Sequence, residues 1–374
     1  MENVCHTLAG FALARSGRGP RTHLVTTAFV VGANLPDVDL AWSSFRSVLV
    51  YYHYHRGFTH SIAGFFVLTL LWWLTLLALD RFWLSRGAPA GARPLSLLRG
   101  AALGIGSHLL MDAANSYGVR PFLPWSDRWV YGDLWVIVDP WLWLILGGAV
   151  YVSGDGGRRR TRIWLLGAAA AAIVVLSSPV VPPVCRAIWA LGGVVTMTVC
   201  RAAARRRAPA RGAAILGVGL TLAYAVLCAV AHRAAMERVA AMAAAAPRDP
   251  STQVAALPRP ADPLRWEWII ADAPSVRFGV VGTLPALDPP RAPSTALDRG
   301  LDRPAVEALM NSCAGEVLRE FFRFPVAYTE KGPDGTGEVV VRDVRYTRRG
   351  RGFAVYSAPT DGGGTPIIDK KECP

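Results

Sequence analysis

IAGFFVLTLLWWLTLLAL, residues 62–79, runs without a single charge and comes close to the ~20 residues a helix needs to cross a bilayer. It reads as a membrane span. HRGFTHS, residues 55–61, stands immediately before it, with two histidines and an arginine at the threshold of a segment suited to lipid. Further apolar runs of similar length lie at about 97–114, 134–152, 162–179, 183–200 and 212–231, which makes six expected spans with the first taken as 61–80. Two shorter runs, 4–14 and 24–35, fall below spanning length and read as buried, interfacial or re-entrant helices.

The composition agrees: 374 residues with 52% hydrophobic content are too apolar for an ordinary soluble enzyme and long enough for more than one folding unit. The net charge of +13 raises the question of nucleic acid. Much of the excess sits in arginine clusters at 81–99, 158–162 and 201–211, between apolar runs, as the positive-inside rule expects of cytoplasmic loops. With no aromatic interleaving of the single-strand-binding kind, nucleic acid is not an expected partner. The same clusters orient the spans, placing the short connection at 177–183 and the tail beyond His232 on the outer face.

Beyond the last span, a stretch at 233–263, Ala-rich and then Pro-rich, reads as a linker. RWEWII, VRFGVVG, EVVVRDVRY and GFAVYS then alternate as strands do, and one helix is expected around 304–322. The fold class is therefore mainly α: a polytopic helical membrane bundle over 1–232, with an extramembrane α+β domain over 264–374. The six cysteines show no CxxC spacing, so no zinc knuckle or redox pair is signalled. Cys185, Cys200 and Cys228 read as lipid-facing or core thiols, and Cys313 and Cys373 can pair if their domain lies in an oxidising compartment. The N-terminus lacks a basic leader and reads as mature protein, not a signal peptide.

Within GIGSHLLMDAANSYG, residues 104–118, His108 and Asp112 are one helical turn apart, and Asn115 shares their face. A histidine nitrogen and a carboxylate so placed can chelate a divalent ion; they can equally lock two helices together as a hydrogen-bonded pair. Ionisable groups in an apolar segment are expensive and tend to be functional. NLPDVDL, residues 34–40, offers Asp37 and Asp39 as metal-flanking carboxylates, or one of them as a helix cap after a turn. His55, Arg56 and Thr59 can bind an anionic group; otherwise Arg56 is a headgroup anchor and Thr59 a cap. His6 reads by default as a core histidine. Asp139, followed by Pro140, reads as a helix cap with an oxygen to spare for metal. The charge-derived orientation brings His60, Asp112 and Asp139 to one membrane face. A shared depth is what a ligand set drawn from several helices requires.

HTLAGFALAR, NLPDVDL, HRGFTHS, HLLMDAANSYGVRPFLPWSDRW and VIVDPWLW, spread over residues 1–145, resemble in order and spacing the YdjM/YbcI-type inner-membrane metal-dependent hydrolases. The resemblance implies that His6, Asp37, Asp39, His60, His108, Asp112 and Asp139 line a site for a divalent metal, with zinc expected, in a bacterial inner-membrane protein. A looser similarity, by ligand type and spacing, is to the zinc-dependent phospholipase C and P1-nuclease group. The expected activity is hydrolysis of an ester or phosphoester, lipid-linked or small, at the outer face. Asp37 or Asp39 would take the proton and Arg56 would hold the anionic group, with His55, Thr59 and Asn115 as supporting residues. Membrane lipids are the expected surroundings. Two alternatives share the residues: an ion or metal transporter, and a purely structural metal clip.

Overall fold

The computed structural model describes residues 1–17, 23–84, 93–154, 157–206, 209–245, 249–289, 294–331, 336–361 and 363–374. In chain order the helices are α1 (Asn3–Ser16), α2 (His23–Gly32), α3 (Leu40–Ser43), α4 (Val48–Tyr54), α5 (Ile62–Leu79), α6 (Pro94–Ala113), α7 (Pro140–Val152), α8 (Arg158–Ser177), α9 (Pro183–Arg205), α10 (Ala210–Ala244), α11 (Pro304–Met310) and α12 (Cys313–Phe321). Two compact units result. The first comprises Met1–Val38, Arg56–His232 and Pro258–Leu264, and the second Asp39–His55, Arg233–Leu257 and Arg265–Pro374.

The first unit is helical. Among the described residues, four helices are long and apolar enough to span: α5 with its continuation to Leu84, α8, α9 and α10; the bent pair Leu24–Gly32 and Leu35–Ser43 adds a fifth if it counts as one span. The six expected spans are thus corrected to four or five. The run expected at 134–152 becomes helical only at Pro140, where Asp139 caps α7; its 13 residues extend about 20 Å, too short to cross. Helix α6 is not among the candidate spans either; His108 and Asp112 on its buried face lower its apolar character. The spans present bare apolar side chains outward, Phe66 at 65% and Leu166 at 71% exposure among them, a surface suited to lipid and not to water.

Helices α1, α6, α7 and α10 share a core built from Cys5, Ala9, Met111, Leu142, Leu146 and Cys228. Helices α2 and α6 approach so closely that a Cβ on Gly104 would lie 2.5 Å from the Phe29 carbonyl oxygen. Small residues at such crossings let backbones meet. A Gly104→Ala variant is therefore expected to lose about 1–3 kcal/mol through overpacking, read as a lowered unfolding midpoint in detergent; an unchanged midpoint would contradict the close crossing.

The C-terminal part of the chain carries a four-stranded sheet in the order β1 (Gln253–Arg259), β2 (Asp262–Ala271), β3 (Ser275–Gly282), β4 (Thr295–Asp298), and a three-stranded sheet of β5 (Pro325–Lys331), β6 (Gly337–Asp343) and β7 (Val355–Pro359). Strand β2 pairs antiparallel with β3, and β5 with β6. Ile269, Val276 and Phe278 of the first sheet share a core with Phe324, Val326 and Val344. The expected single helix at 304–322 is two, because Ser312 caps α12. Cys313 and Cys373 are disulfide-bonded. The expected linker is also corrected: α10 continues to Ala244, and β1 starts at Gln253.

Residues 39–55, expected within the membrane bundle, belong instead to the second unit. Helix α4 buries Leu49, Val50 and Tyr52. The Tyr52 ring stacks on Phe321 at 4.7 Å, while His53 Nδ1 lies 3.0 Å from Glu320 Oε2.

Candidate metal centre

Three short pieces of the first unit build the site. The α6 face supplies His108 and Asp112, both fully buried. Close α2–α6 packing brings the Ala33 carbonyl to 2.8 Å from His108 Nδ1. A carbonyl can only accept, so Nδ1 carries the proton and Nε2 of the neutral ring presents its lone pair to the site.

Asp37 lies on the 3₁₀ turn Leu35–Asp39 that follows α2. Asn34, just before that turn, donates through Nδ2 to the Val30 carbonyl at 2.8 Å. Asn3 Nδ2 donates to Asp37 Oδ2 at 3.1 Å, leaving Oδ1 toward the histidines. His60 ends the 3₁₀ turn Phe58–His60. Ser61, not Thr59, caps α5, its Oγ accepting from Gly64 N at 2.9 Å; Thr59 Oγ1 instead sits 3.0 Å from His60 Nδ1.

One donor atom each from Asp37, His60, His108 and Asp112 falls within 4.8 Å of the others. His60 Nε2 and His108 Nε2 are 3.1 Å apart. Asp37 Oδ1 is 3.5 Å and 3.6 Å from them, and Asp112 Oδ2 is 3.3 Å and 3.5 Å away. Two imidazole nitrogens and two carboxylate oxygens converging on one small volume form a donor set suited to zinc and similar divalent ions. The unmet polar atoms argue the same way. His6 Nδ1, fully buried, has no hydrogen-bond partner, and Asp112 Oδ2 meets only ion-pair neighbours. Buried polar groups rarely go unsatisfied, so the residues fit a metal ion.

His6 flanks this group, its ring stacked on His108 at 3.8 Å and its Nε2 3.3 Å from Asp112 Oδ1. Helix α1 is not among the spans, and burial pushes the His6 imidazole down to about 3, which keeps it neutral and able to ligate. The Met1 amino group also contacts Asp112 Oδ1.

Arg56 is 3% exposed and turns through a left-handed backbone, φ 58°, a region arginine seldom occupies. That turn aims the guanidinium inward. Nη2 lies 3.0 Å from Asp112 Oδ2, Nη1 donates to Asn115 Oδ1 at 2.8 Å and to the Gly118 carbonyl at 3.3 Å, and Tyr117 packs beneath at 4.4 Å. Asn115 supports the same carboxylate, with Nδ2 3.4 Å from Asp112 Oδ1. Tyr117 and the carbonyls of Ala33 and Gly118 escaped the sequence reading. Backbone carbonyls leave no mark on a sequence, whereas Tyr117 lay within the NSYG stretch that follows the motif.

Two further candidates remain, Asp139 and Asp39. Asp139 belongs to no donor group among the described residues. Its Oδ1 accepts from Trp141 N and Leu142 N at 2.9 and 3.3 Å, and Tyr224 Oη donates to Oδ2 at 3.1 Å, so the cap reading replaces the ligand reading. An Asp139→Ala variant is expected to lose about 0.5–2 kcal/mol of stability and to keep its metal content, measured by elemental analysis. Asp39 and His55 pair in the second unit, Oδ1 3.3 Å from Nδ1.

The fold and the buried His/Asp cluster define a polytopic membrane protein with a candidate divalent-metal centre. Residues 1–182 match the family model described as YdjM inner membrane protein, so the N-terminal half of the chain is similar to that family. The chain is also similar to the protein named "Uncharacterized protein YfhP" of Bacillus subtilis (strain 168), with 28% identity over 165 residues, covering 42% of this chain and 47% of the relative. The chain thus spans about half the length of that curated relative. No solved structure matches.

Proposed function

We propose that the protein is a membrane-bound, metal-dependent hydrolase acting on an ester or phosphoester, lipid-linked or small, at the outer face of the inner membrane. The observation that carries this reading is the convergence of His60 Nε2, His108 Nε2, Asp37 Oδ1 and Asp112 Oδ2 within 4.8 Å. A divalent ion, zinc by preference, held by these four residues with His6 beside them would supply Lewis acidity toward the scissile group and lower the pKa of water. Asp37 keeps a partly accessible side chain and takes the proton. Arg56 orients Asp112 and keeps the site's net charge receptive to an anion. The arginine clusters support an outer C-terminal domain, and so does the Cys313–Cys373 disulfide, a bond of oxidising compartments.

Purified protein in detergent or nanodiscs, loaded with zinc or manganese, tests the reading against phosphoester and carboxyester lipids and soluble esters. Turnover that disappears in His108→Ala is the expected result. Bound metal with no turnover on any of them would favour a second reading, a structural or ion-transit metal site. That reading draws on burial: His60, His108 and Asp112 are at most 1% exposed.

A further inference from the structure

The segment between Asp112 and α7 holds a finger that neither the metal centre nor the bundle core uses. Its stem closes by paired hydrogen bonds, Val119 N to Val130 O at 3.0 Å and Val130 N to Val119 O at 2.9 Å. Arg120 packs over Trp129 at 5.1 Å, and Trp129 lies near parallel to Tyr131. Beyond the stem the tip turns bare. Phe122 is 43% and Trp125 77% exposed, and Ser126, Asp127 and Arg128 beside them are exposed too. Large aromatics left open on a rigid loop call for an explanation.

Two bonds locate the finger. Pro121 O accepts from Ile62 N at 2.9 Å, and Ile62 is the first residue of the span that opens with Ile62 and Phe66 exposed. The tip is therefore held beside the residue at which the apolar surface of α5 begins. At the root, Gly118 O accepts from Arg56 Nη1, the same guanidinium that holds Asp112. Tryptophan collects where acyl chains meet headgroups, because an indole has an apolar body and an N–H for the polar layer; phenylalanine beside it adds apolar area for the acyl boundary, and an arginine there faces lipid phosphates.

We infer that the finger tip, Phe122 and Trp125 with Arg128, is an interfacial anchor inserted at the headgroup–acyl boundary, and that through Arg56 it fixes the metal centre at that depth. The inference is independent of whether the site hydrolyses anything. It commits the patch to a lipid surface and not to a protein partner.

A bimane label on Trp125→Cys in the full-length protein, reconstituted in nanodiscs of phosphatidylethanolamine and phosphatidylglycerol, tests it. The four free cysteines are all buried, and labelled wild type sets the background. A label on Arg349→Cys, exposed in the second unit, serves as the aqueous reference. The expected result is blue-shifted emission at position 125, quenched several-fold more by nitroxide lipids and several-fold less by iodide than at position 349. Iodide quenching equal to the reference would overturn the inference. So would protection from both quenchers, which would mean that a second copy or another protein covers the tip. Should Trp125→Cys misfold, Ser126→Cys reads the same depth.

Discussion

An Asp112→Ala variant is expected to lose its divalent metal and about 3–5 kcal/mol of stability together. Among the described residues, Asp112 is the one carboxylate within reach of both histidine donors, of His6 and of Arg56. Removing it deletes a ligand and leaves the Arg56 guanidinium buried without its counter-charge, the situation in which breaking a buried pair is most destabilising. Elemental analysis reads the first effect and thermal unfolding with and without a chelator reads the second. In wild type the chelator should lower the midpoint, since an ion bound only by the folded state stabilises it; in the variant it should not. A variant that retains metal would remove Asp112 from the ligand set.

The complementary variant carries a sign as well as a size. Arg56→Gln leaves Asp37 and Asp112 facing the site without the buried cation 3.0 Å from Asp112. The metal-free form should again lose about 3–5 kcal/mol, because two carboxylates sharing a buried site repel each other. A divalent ion then has more uncompensated negative charge to neutralise. The rise in midpoint on adding zinc is therefore expected to be larger in Arg56→Gln than in wild type. An equal or smaller rise would mean that Arg56 does not act on the site through its charge.

Legibility in the sequence differed from residue to residue, for physical reasons. His108 and Asp112 could be placed on one face by helical spacing alone, and their apolar setting marked them as expensive. His60 and Asp37 sit on 3₁₀ turns, where spacing predicts little about direction, and only the tertiary fold reveals that they meet the α6 face. Asp139 was ambiguous by its chemistry: Asp before Pro is both a cap and a spare ligand, and Tyr224 with the α7 backbone takes its oxygens. The guanidinium of Arg56 was foreseen as an anion holder, but its inward turn depends on a left-handed backbone that nothing in HRG dictates. Alternating strands and long apolar helices were readable because each carries a local period. The assignment of residues 39–55 to the second unit was not, since Tyr52 stacking on Phe321 is a contact between distant parts of the chain.

The metal content of full-length protein purified in detergent, compared with a His60→Ala/His108→Ala double variant, bears most directly on the account. Wild type should hold divalent metal in stoichiometric amount after zinc loading and removal of free ion, with X-ray absorption at the metal edge showing imidazole scattering; the folded double variant should hold none. Folded wild type that stays metal-free after loading, or a double variant that binds as wild type does, would contradict a metal centre at Asp37, His60, His108 and Asp112.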